Sequence, residues 1–162
     1  MNRFVALYST ARQIRLFPIS IGGLCRSEVR DRERRRESVA CILCIDDNQD
    51  VLNSLGEVLR TSGYGTLTAL SGVQGILLSL QNSVDLVVLD YEMPGMNGDL
   101  VAQAIRRYKP TLPIILFTGI PDDISGSVRH NVNGVVSKTD FGGLLTLVGM
   151  LTTKSPGKQE AT

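Results

Sequence analysis

The stretch "VVLDYEMPGMNG", residues 87–98, joins a short apolar run to a carboxylate and then to a constrained turn. Asp90 closes the aliphatic run, and one proline and two glycines follow before residue 99. A buried strand with a carboxylate at its tip is consistent with three interpretations: a solvated strand end, a metal ligand or a nucleophile. The segments on either side of the stretch decide between them.

Apolar runs of strand length alternate with segments of helical period from residue 39 onward. The predicted strands are Val39–Ile45, Gly65–Leu70, Val84–Leu89, Ile114–Phe117 and Val135–Ser137. The predicted helices are Asp50–Thr61, Ser71–Leu80, Gly98–Tyr108, Asp122–His130 and Asp140–Leu151. Short connections and continuous apolar strands predict an α/β fold, a doubly wound five-stranded parallel sheet with helices on both faces.

Polar residues follow four of the five predicted strands. Asp46 and Asp47 follow the first strand, Asp90 the third, Thr118 the fourth and Lys138 the fifth. In parallel sheets of this kind the ligand site lies beyond the carboxyl ends of the strands, so these side chains are expected in one crevice. Three carboxylates in one crevice repel one another unless a cation such as Mg²⁺ neutralises them.

The same set of residues suits phosphoryl chemistry. The ammonium group of Lys138 is a compact charge that can bind a phosphoryl oxygen, and the Thr118 hydroxyl is a second donor. A carboxylate in these surroundings can attack phosphorus and carry the resulting acyl phosphate. This makes Asp90 a candidate nucleophile.

Four segments carry a family resemblance: "CIDD", "LVVLDYEMPGMNG", "PIILFTG" and "VSKTD". With these segments, residues 39–151 resemble the receiver domain of response regulators, the phosphoacceptor module of two-component signalling. The resemblance implies a flavodoxin-like fold with strand order 2-1-3-4-5. It also implies a phosphoprotein that is not a dedicated enzyme, although it catalyses its own phosphoryl transfer and slow autodephosphorylation.

The resemblance implies roles for individual residues. Asp90 falls on the phosphoacceptor of the family. The implied cofactor is Mg²⁺, bound directly by Asp47 and Asp90, through water by Asp46, and by the backbone carbonyl of Glu92. In the turn after Asp90, the glycines are expected to adopt backbone geometry that other residues resist.

Two further positions match the family and two depart from it. Thr118 falls on the switch hydroxyl and Lys138 on the phosphate-binding lysine of the family. Thr139 stands where the family usually has proline, and Val135 stands where it usually has an aromatic residue. These departures put the usual signalling surface in question, but not phosphorylation.

The implied phosphoryl donor is a sensor histidine kinase or a phosphotransfer protein. Because eleven residues follow Leu151, we expect no output domain and signalling by contact with a downstream protein. One alternative is a hydrolase in which Asp90 is the nucleophile and Glu92 the acid/base. Such enzymes usually need a cap domain, for which this chain has little room.

Residues 1–38 hold nine arginines and four acidic residues, a net charge of +5, whereas the whole chain carries +1. We expect a basic, disordered arm here and a disordered tail over residues 152–162. A nucleic-acid contact by the arm is the less favoured alternative, since acids are interleaved with the arginines. A targeting peptide is also less favoured, because the arm lacks a clear apolar core and cleavage site.

The lengths of the apolar runs and the cysteine content bear on the cellular location of the protein. No run approaches the roughly 20 apolar residues that span a bilayer, so no membrane partner is expected. Cys41 and Cys44 form a C-x-x-C pattern inside an apolar strand, which favours core residues over a redox centre. Together with the odd number of cysteines, three, this indicates a reducing, cytoplasmic location.

Overall fold

A computed structural model describes residues 39–152, which form a five-stranded parallel sheet with helices on both faces. The strands are β1 (Cys41–Ile45), β2 (Gly65–Ala69), β3 (Leu86–Leu89), β4 (Ile114–Thr118) and β5 (Gly134–Ser137). The helices are α1 (Gln49–Thr61), α2 (Gly72–Gln81), α3 (Gly98–Tyr108), α4 (Gly126–Arg129) and α5 (Phe141–Leu151). The expectations for residues 1–38 and 153–162 lie outside the described residues.

The strand order is β2-β1-β3-β4-β5, which confirms the predicted flavodoxin-like topology. The register aligns the strand ends: Ile45 pairs with Ala69 and with Leu89, and Thr118 pairs with Ser137. All pairs are parallel, so the carboxyl ends meet at one edge of the sheet. Among the described helices, none has the length and apolarity that a bilayer crossing requires.

The central strands β1, β3 and β4 are buried on both faces of the sheet, which explains why they are almost continuously apolar. In β1, Ile42 and Cys44 pack with α1 and α5, whereas Leu43 and Ile45 pack on the opposite face with α3. Burial raises the pKa of the Cys44 thiol to about 12, the behaviour of a neutral core residue. The interpretation of Cys44 as a core residue is confirmed.

Local sequence sets where the helices begin and end. The side chains of Asn48, Ser71, Asn97 and Asp140 accept hydrogen bonds from backbone N–H groups in the first turns of α1, α2, α3 and α5. These are N-caps, which stabilise a helix by about 1 kcal/mol each. Gly63 follows α1 with a φ of 85°, the left-handed conformation that ends many helices.

One predicted helix is wrong. The segment 122–130 forms a 3₁₀ turn over Pro121–Asp123 and a separate short helix, α4. Ile124 lies between them in an extended conformation with its side chain buried, so helical backbone is interrupted there. The Arg129 guanidinium donates to the carbonyls of Ile124 and Pro121 and stabilises the break.

A second arginine, Arg106 of α3, joins the loops that lead into β4 and β5. Its guanidinium donates to three backbone carbonyls and one side-chain amide oxygen, those of Asn131, Pro110, Leu112 and Asn133. Burial lowers the pKa of this guanidinium. The arginine therefore fixes the amino edge of the sheet, opposite the strand ends that carry the polar residues.

Candidate functional site

Backbone pairing continues one residue past the strands and places the site residues side by side. The Asp46 N–H donates to the Ala69 carbonyl at 3.1 Å, and the Asp90 N–H donates to the Ile45 carbonyl at 2.8 Å. The acids that follow β1 and β3 are therefore neighbours at the carboxyl edge. On the other side, the N–H of Lys138 donates to the Thr118 carbonyl at 2.9 Å.

Two buried carboxylates share one lysine. The Nζ atom of Lys138 lies 2.8 Å from Asp46 Oδ2 and 3.1 Å from Asp90 Oδ2. Asp46 is 1% exposed and Asp90 is 4% exposed. The other oxygen of each carboxylate accepts a backbone N–H at 2.8 Å, from Asn48 to Asp46 and from Tyr91 to Asp90. Both carboxylates are thus held in fixed orientations.

The protonation equilibria reflect this arrangement. Burial raises the pKa of Asp90, against the opposing effect of Lys138, whose hydrogen bond and charge favour the carboxylate. For Lys138, burial alone lowers the pKa, but the hydrogen bonds from Lys138 to Asp46 and Asp90, together with their charges, outweigh it and raise the pKa. The carboxylates therefore favour the cationic form of Lys138, whereas the favourable effect of Lys138 on the Asp90 carboxylate does not fully offset the cost of burying its charge.

A third carboxylate completes an acidic cluster. Asp47 follows Asp46 and is exposed, and oxygens of Asp46, Asp47 and Asp90 all lie within 4.8 Å of one another. Carboxylate oxygens are the ligands of hard divalent cations, and these separations allow all three groups to serve one ion, directly or through water. The residues therefore fit the predicted Mg²⁺.

Thr118 and Glu92, the two remaining predicted site residues, differ in burial. Thr118 is fully buried at the end of β4, and its hydroxyl accepts the Ile120 N–H at 3.2 Å. The Glu92 side chain is exposed on the loop after Asp90. The structure thus joins Asp46, Asp90 and Lys138 by direct contacts, with Thr118 on the neighbouring strand end and Glu92 on the rim.

The turn after Asp90 uses its two glycines differently. Gly95 has a φ of 79°, a left-handed conformation, as expected for this turn. Gly98 does not have positive φ, so the geometry that other residues would resist there is a close approach of two backbone segments. A Cβ at Gly98 would clash with the Asp90 carbonyl and lie 2.9 Å from Tyr91 Cα. Gly98 lets α3 begin against the backbone of the phosphoacceptor candidate.

Residues 42–148 match the family model of the response regulator receiver domain. The chain belongs to this receiver family. It is therefore a receiver domain of the two-component type, and domains of this family interact with histidine kinases or phosphotransfer proteins.

Curated relatives match this receiver domain over part of their length. The transcriptional regulatory protein GlrR of Escherichia coli K12 is 34% identical over 91 residues, which cover 54% of this chain and 20% of GlrR. The transcriptional regulatory protein AfsQ1 of Streptomyces coelicolor is 40% identical over 83 residues, 51% of this chain and 36% of AfsQ1. The receiver chain thus spans well under two thirds of either relative.

Solved structures share the fold of this receiver. The response regulator TrrA of Thermotoga maritima, solved in complex with Mg²⁺-BeF, is 33% identical with a TM-score of 0.67. That likeness covers 70% of this chain and 99% of TrrA. The chemotaxis protein CheY4 of Vibrio cholerae is 21% identical with a TM-score of 0.64, and the likeness covers 70% of this chain and 99% of CheY4. At this identity the likeness shows the fold alone.

The receiver site has an aromatic pair that the sequence analysis missed. Phe117 of β4 and Phe141 of α5 pack with ring centroids 5.5 Å apart and planes tilted by 60°. Both line a cavity of about 200 Å³ that reaches Lys138 and the first turns of α1. Val135, by contrast, packs on the opposite face of the sheet. No local pattern in the sequence signals this pairing, because β4 is buried on both faces and Phe141 lies far along the chain from Phe117.

Proposed function

We propose that this receiver accepts a phosphoryl group on Asp90 in a two-component phosphorelay. The donor is a phosphohistidine of a sensor histidine kinase or a phosphotransfer protein. The observation that carries the proposal is the Asp90 carboxylate, buried at the carboxyl edge, with one oxygen bound by the Tyr91 N–H and the other 3.1 Å from Lys138. Such fixed orientation removes much of the entropic cost of attack.

In the proposed reaction, a carboxylate oxygen of Asp90 attacks phosphorus and the phosphorus–nitrogen bond to histidine breaks. The electron pair of that bond leaves with the imidazole, and Asp90 becomes an acyl phosphate. Lys138 is the residue proposed to bind a phosphoryl oxygen, because its ammonium already contacts the attacking carboxylate. The Thr118 hydroxyl is proposed to donate to a second phosphoryl oxygen, since its oxygen accepts the Ile120 N–H and its own proton remains available for donation.

The proposed cofactor is Mg²⁺. Asp47 and Asp90 would bind it directly, Asp46 through water and Glu92 through its backbone carbonyl, and the mutual approach of the three carboxylates supports this set. When bound, the ion neutralises charge on the carboxylates and on the transferring group. The TrrA structure, which contains Mg²⁺-BeF, is a related receiver that supports the same chemistry here.

The proposal extends to the fate of the phosphoryl group. Water slowly hydrolyses the acyl phosphate in a reaction that this domain catalyses on itself, so the chain is not a dedicated enzyme. Signalling proceeds through contact with a downstream protein. The absence of an output domain, the cytoplasmic location and the lack of a nucleic-acid partner stay predictions, and the named relatives are transcriptional regulators.

Intact mass spectrometry with acetyl phosphate and Mg²⁺ tests this proposal. The wild-type chain should gain the mass of one phosphoryl group, and Asp90→Asn should gain none. The matched control is Asp123→Asn, which removes an exposed carboxylate from the loop after β4. Equal labelling of wild type and Asp90→Asn would overturn the assignment of Asp90.

A further inference from the structure

Helix α2 has small residues at its fully buried positions, while its large apolar residues are either half-buried against the core, Ile76 and Leu78, or exposed on the outer surface. Its buried positions are Gly72, Gly75 and Ser79. A Cβ at Gly75 would clash with Ile45 of the sheet, and one at Gly72 would clash with Val101 of α3. The helix therefore lies close to the sheet and to α3. Close packing of this kind leaves its leucines little room on the inner face.

The outer surface of α2 carries a stripe of large apolar side chains. Three of them, Val73, Leu77 and Leu80, are spaced four and three residues apart, the interval of a helix–helix seam, and Leu70 directly precedes the N-cap Ser71. These four residues and one from the neighbouring helix α3 form what we call the α2 patch: Leu70 (47% exposed), Val73 (57%), Leu77 (51%), Leu80 (42%) and Leu100 (51%). Leu100 directly precedes Val101, the residue of α3 that approaches Gly72.

The patch is large for a protein surface. With about half of each side chain exposed, it presents apolar area on the order of 400 Å², the size at which exposed patches usually mark an interaction site. Two such patches facing each other would bury on the order of 800 Å² before flanking residues are counted. With those residues included, the total approaches the roughly 1,200 Å² of a small specific interface.

The chemistry of the patch favours a second copy of this chain. No charged residue occurs between Ser71 and Val84, so α2 itself brings no like charges together in a symmetric pair. Lys109, whose Nζ donates to the Asn82 carbonyl, lies beyond the C-terminal end of α2, so the two copies of this lysine would lie at opposite ends of an antiparallel pair. Charge complementarity is the usual means of selecting a different partner, and this helix offers none. Its flanking polar residues, Gln74 and Gln81, carry neutral amides. The Gln74 oxygen accepts the Leu70 N–H at 2.9 Å, and its NH₂ group can donate to the amide oxygen of Gln81 in a second copy.

We propose that α2 is a homodimer interface. Two copies pack antiparallel about a two-fold axis that passes near Leu77, the central position of the stripe. In this arrangement Val73 of one copy faces Leu80 of the other, as an isologous interface requires. Antiparallel packing also places the positive end of one helix dipole beside the negative end of its partner. The proposal is independent of phosphorylation at Asp90.

Sedimentation velocity on the full chain tests this interface. The wild-type chain should pass from monomer to dimer over about 1–100 µM, the range expected for a small interface. Leu77→Glu should remain monomeric over that range, a loss of at least about tenfold in affinity, because it buries two carboxylates at the axis. The matched control is Met150→Glu on α5, a side chain that is 74% exposed and outside the α2 patch. This variant should dimerise like wild type.

A cross-linking measurement separates loss of the interface from loss of the fold. Leu77→Cys should form an intermolecular disulfide on mild oxidation, since residue 77 meets its own copy at the axis, and Met150→Cys should not. A wild-type chain that stays monomeric would overturn the proposal. So would a dimer that persists in Leu77→Glu, or one that is lost in Met150→Glu but not in Leu77→Glu.

Discussion

Lys138 at the carboxyl edge of the sheet and Arg106 at the amino edge are both long cationic side chains, but they have different partners. At the carboxyl edge, Lys138 contacts two buried carboxylates, those of Asp46 and Asp90. At the amino edge, Arg106 donates to neutral oxygen atoms, three carbonyls and one amide, from Asn131, Pro110, Leu112 and Asn133. Both cations are partly removed from water, but only Lys138 has anionic partners.

The difference separates a structural role from a chemical one. The acceptors of Arg106 belong to backbone and amide groups that hold loops in place, and they cannot exchange a proton or bind a phosphoryl group. The partners of Lys138 can bind a metal ion or react. The amino edge is therefore expected to control stability, and the carboxyl edge is expected to control phosphorylation.

The largest expected effect lies at the amino edge. Arg106→Ala should lower the free energy of unfolding by about 3 kcal/mol, because it leaves several part-buried oxygens without a donor. Urea denaturation measures this change. Arg107→Ala, at an exposed position next along α3, should change stability by less than about 0.5 kcal/mol. Equal effects of the two variants would show that the Arg106 contacts contribute little.

The phosphorylation rate, unlike stability, should depend on the cation at the carboxyl edge and not on those at the amino edge. Lys138→Ala should slow labelling by acetyl phosphate about 100-fold, equivalent to about 2.7 kcal/mol, because the transferring group loses a preorganised cation. The matched control is Lys109→Ala. The Nζ of Lys109 donates to the Asn82 carbonyl at 3.2 Å near the amino edge, and its removal should leave the labelling rate unchanged. Similar slowing in both variants would contradict a specific role for Lys138.

Binding of Mg²⁺ at the carboxyl edge should stabilise the domain by a smaller amount. At ten times its dissociation constant, Mg²⁺ should raise the free energy of unfolding by about 1.4 kcal/mol. Asp47→Asn should largely remove this gain, whereas Asp122→Asn, which alters an exposed acid on the loop after β4, should retain it. Thermal melts with Mg²⁺ and with a chelator give the comparison. A gain that persists in Asp47→Asn would place the ion elsewhere.

The smallest expected effect concerns pH. Because the pKa of Asp90 is raised above 3.8 in the folded chain, the native state binds this proton more tightly than the unfolded state. The contribution of Asp90 to stability therefore decreases as pH rises from 3.8 through the raised pKa. Without Mg²⁺, the stability of Asp90→Asn relative to wild type should increase over that window, as followed by denaturation at several pH values. A relative stability that fell instead would mean that Lys138 overcompensates for burial.

Much of the fold was predictable because the central strands are buried on both faces. Continuous apolar runs such as Leu86–Leu89 mark strands directly, and residues with N-capping side chains, such as Ser71, mark where helices begin. The interruption of the helix predicted over residues 122–130 could not be predicted from such local patterns. Its interruption at Ile124 depends on burial of that side chain and on the guanidinium of Arg129, both of which are tertiary contacts.

The residues of the site could be predicted from the sequence, but the contacts between their side chains could not. Acids and a lysine after successive parallel strands must meet at one edge, so Asp46, Asp90 and Lys138 could be grouped in advance. The sequence did not indicate that one ammonium lies between two buried carboxylates. Nor did it reveal the pairing of Phe117 with Phe141, because side-chain packing between a strand and a distant helix leaves no local pattern.

The most direct test of the central claim identifies the modified residue itself. After treatment with acetyl phosphate and Mg²⁺, borohydride reduces an aspartyl phosphate to homoserine, and peptide mass spectrometry locates the change. We predict homoserine at position 90 and unmodified aspartate at positions 46 and 47. Homoserine at either of those positions, or phosphate retained on another side chain with Asp90 unchanged, would contradict the account.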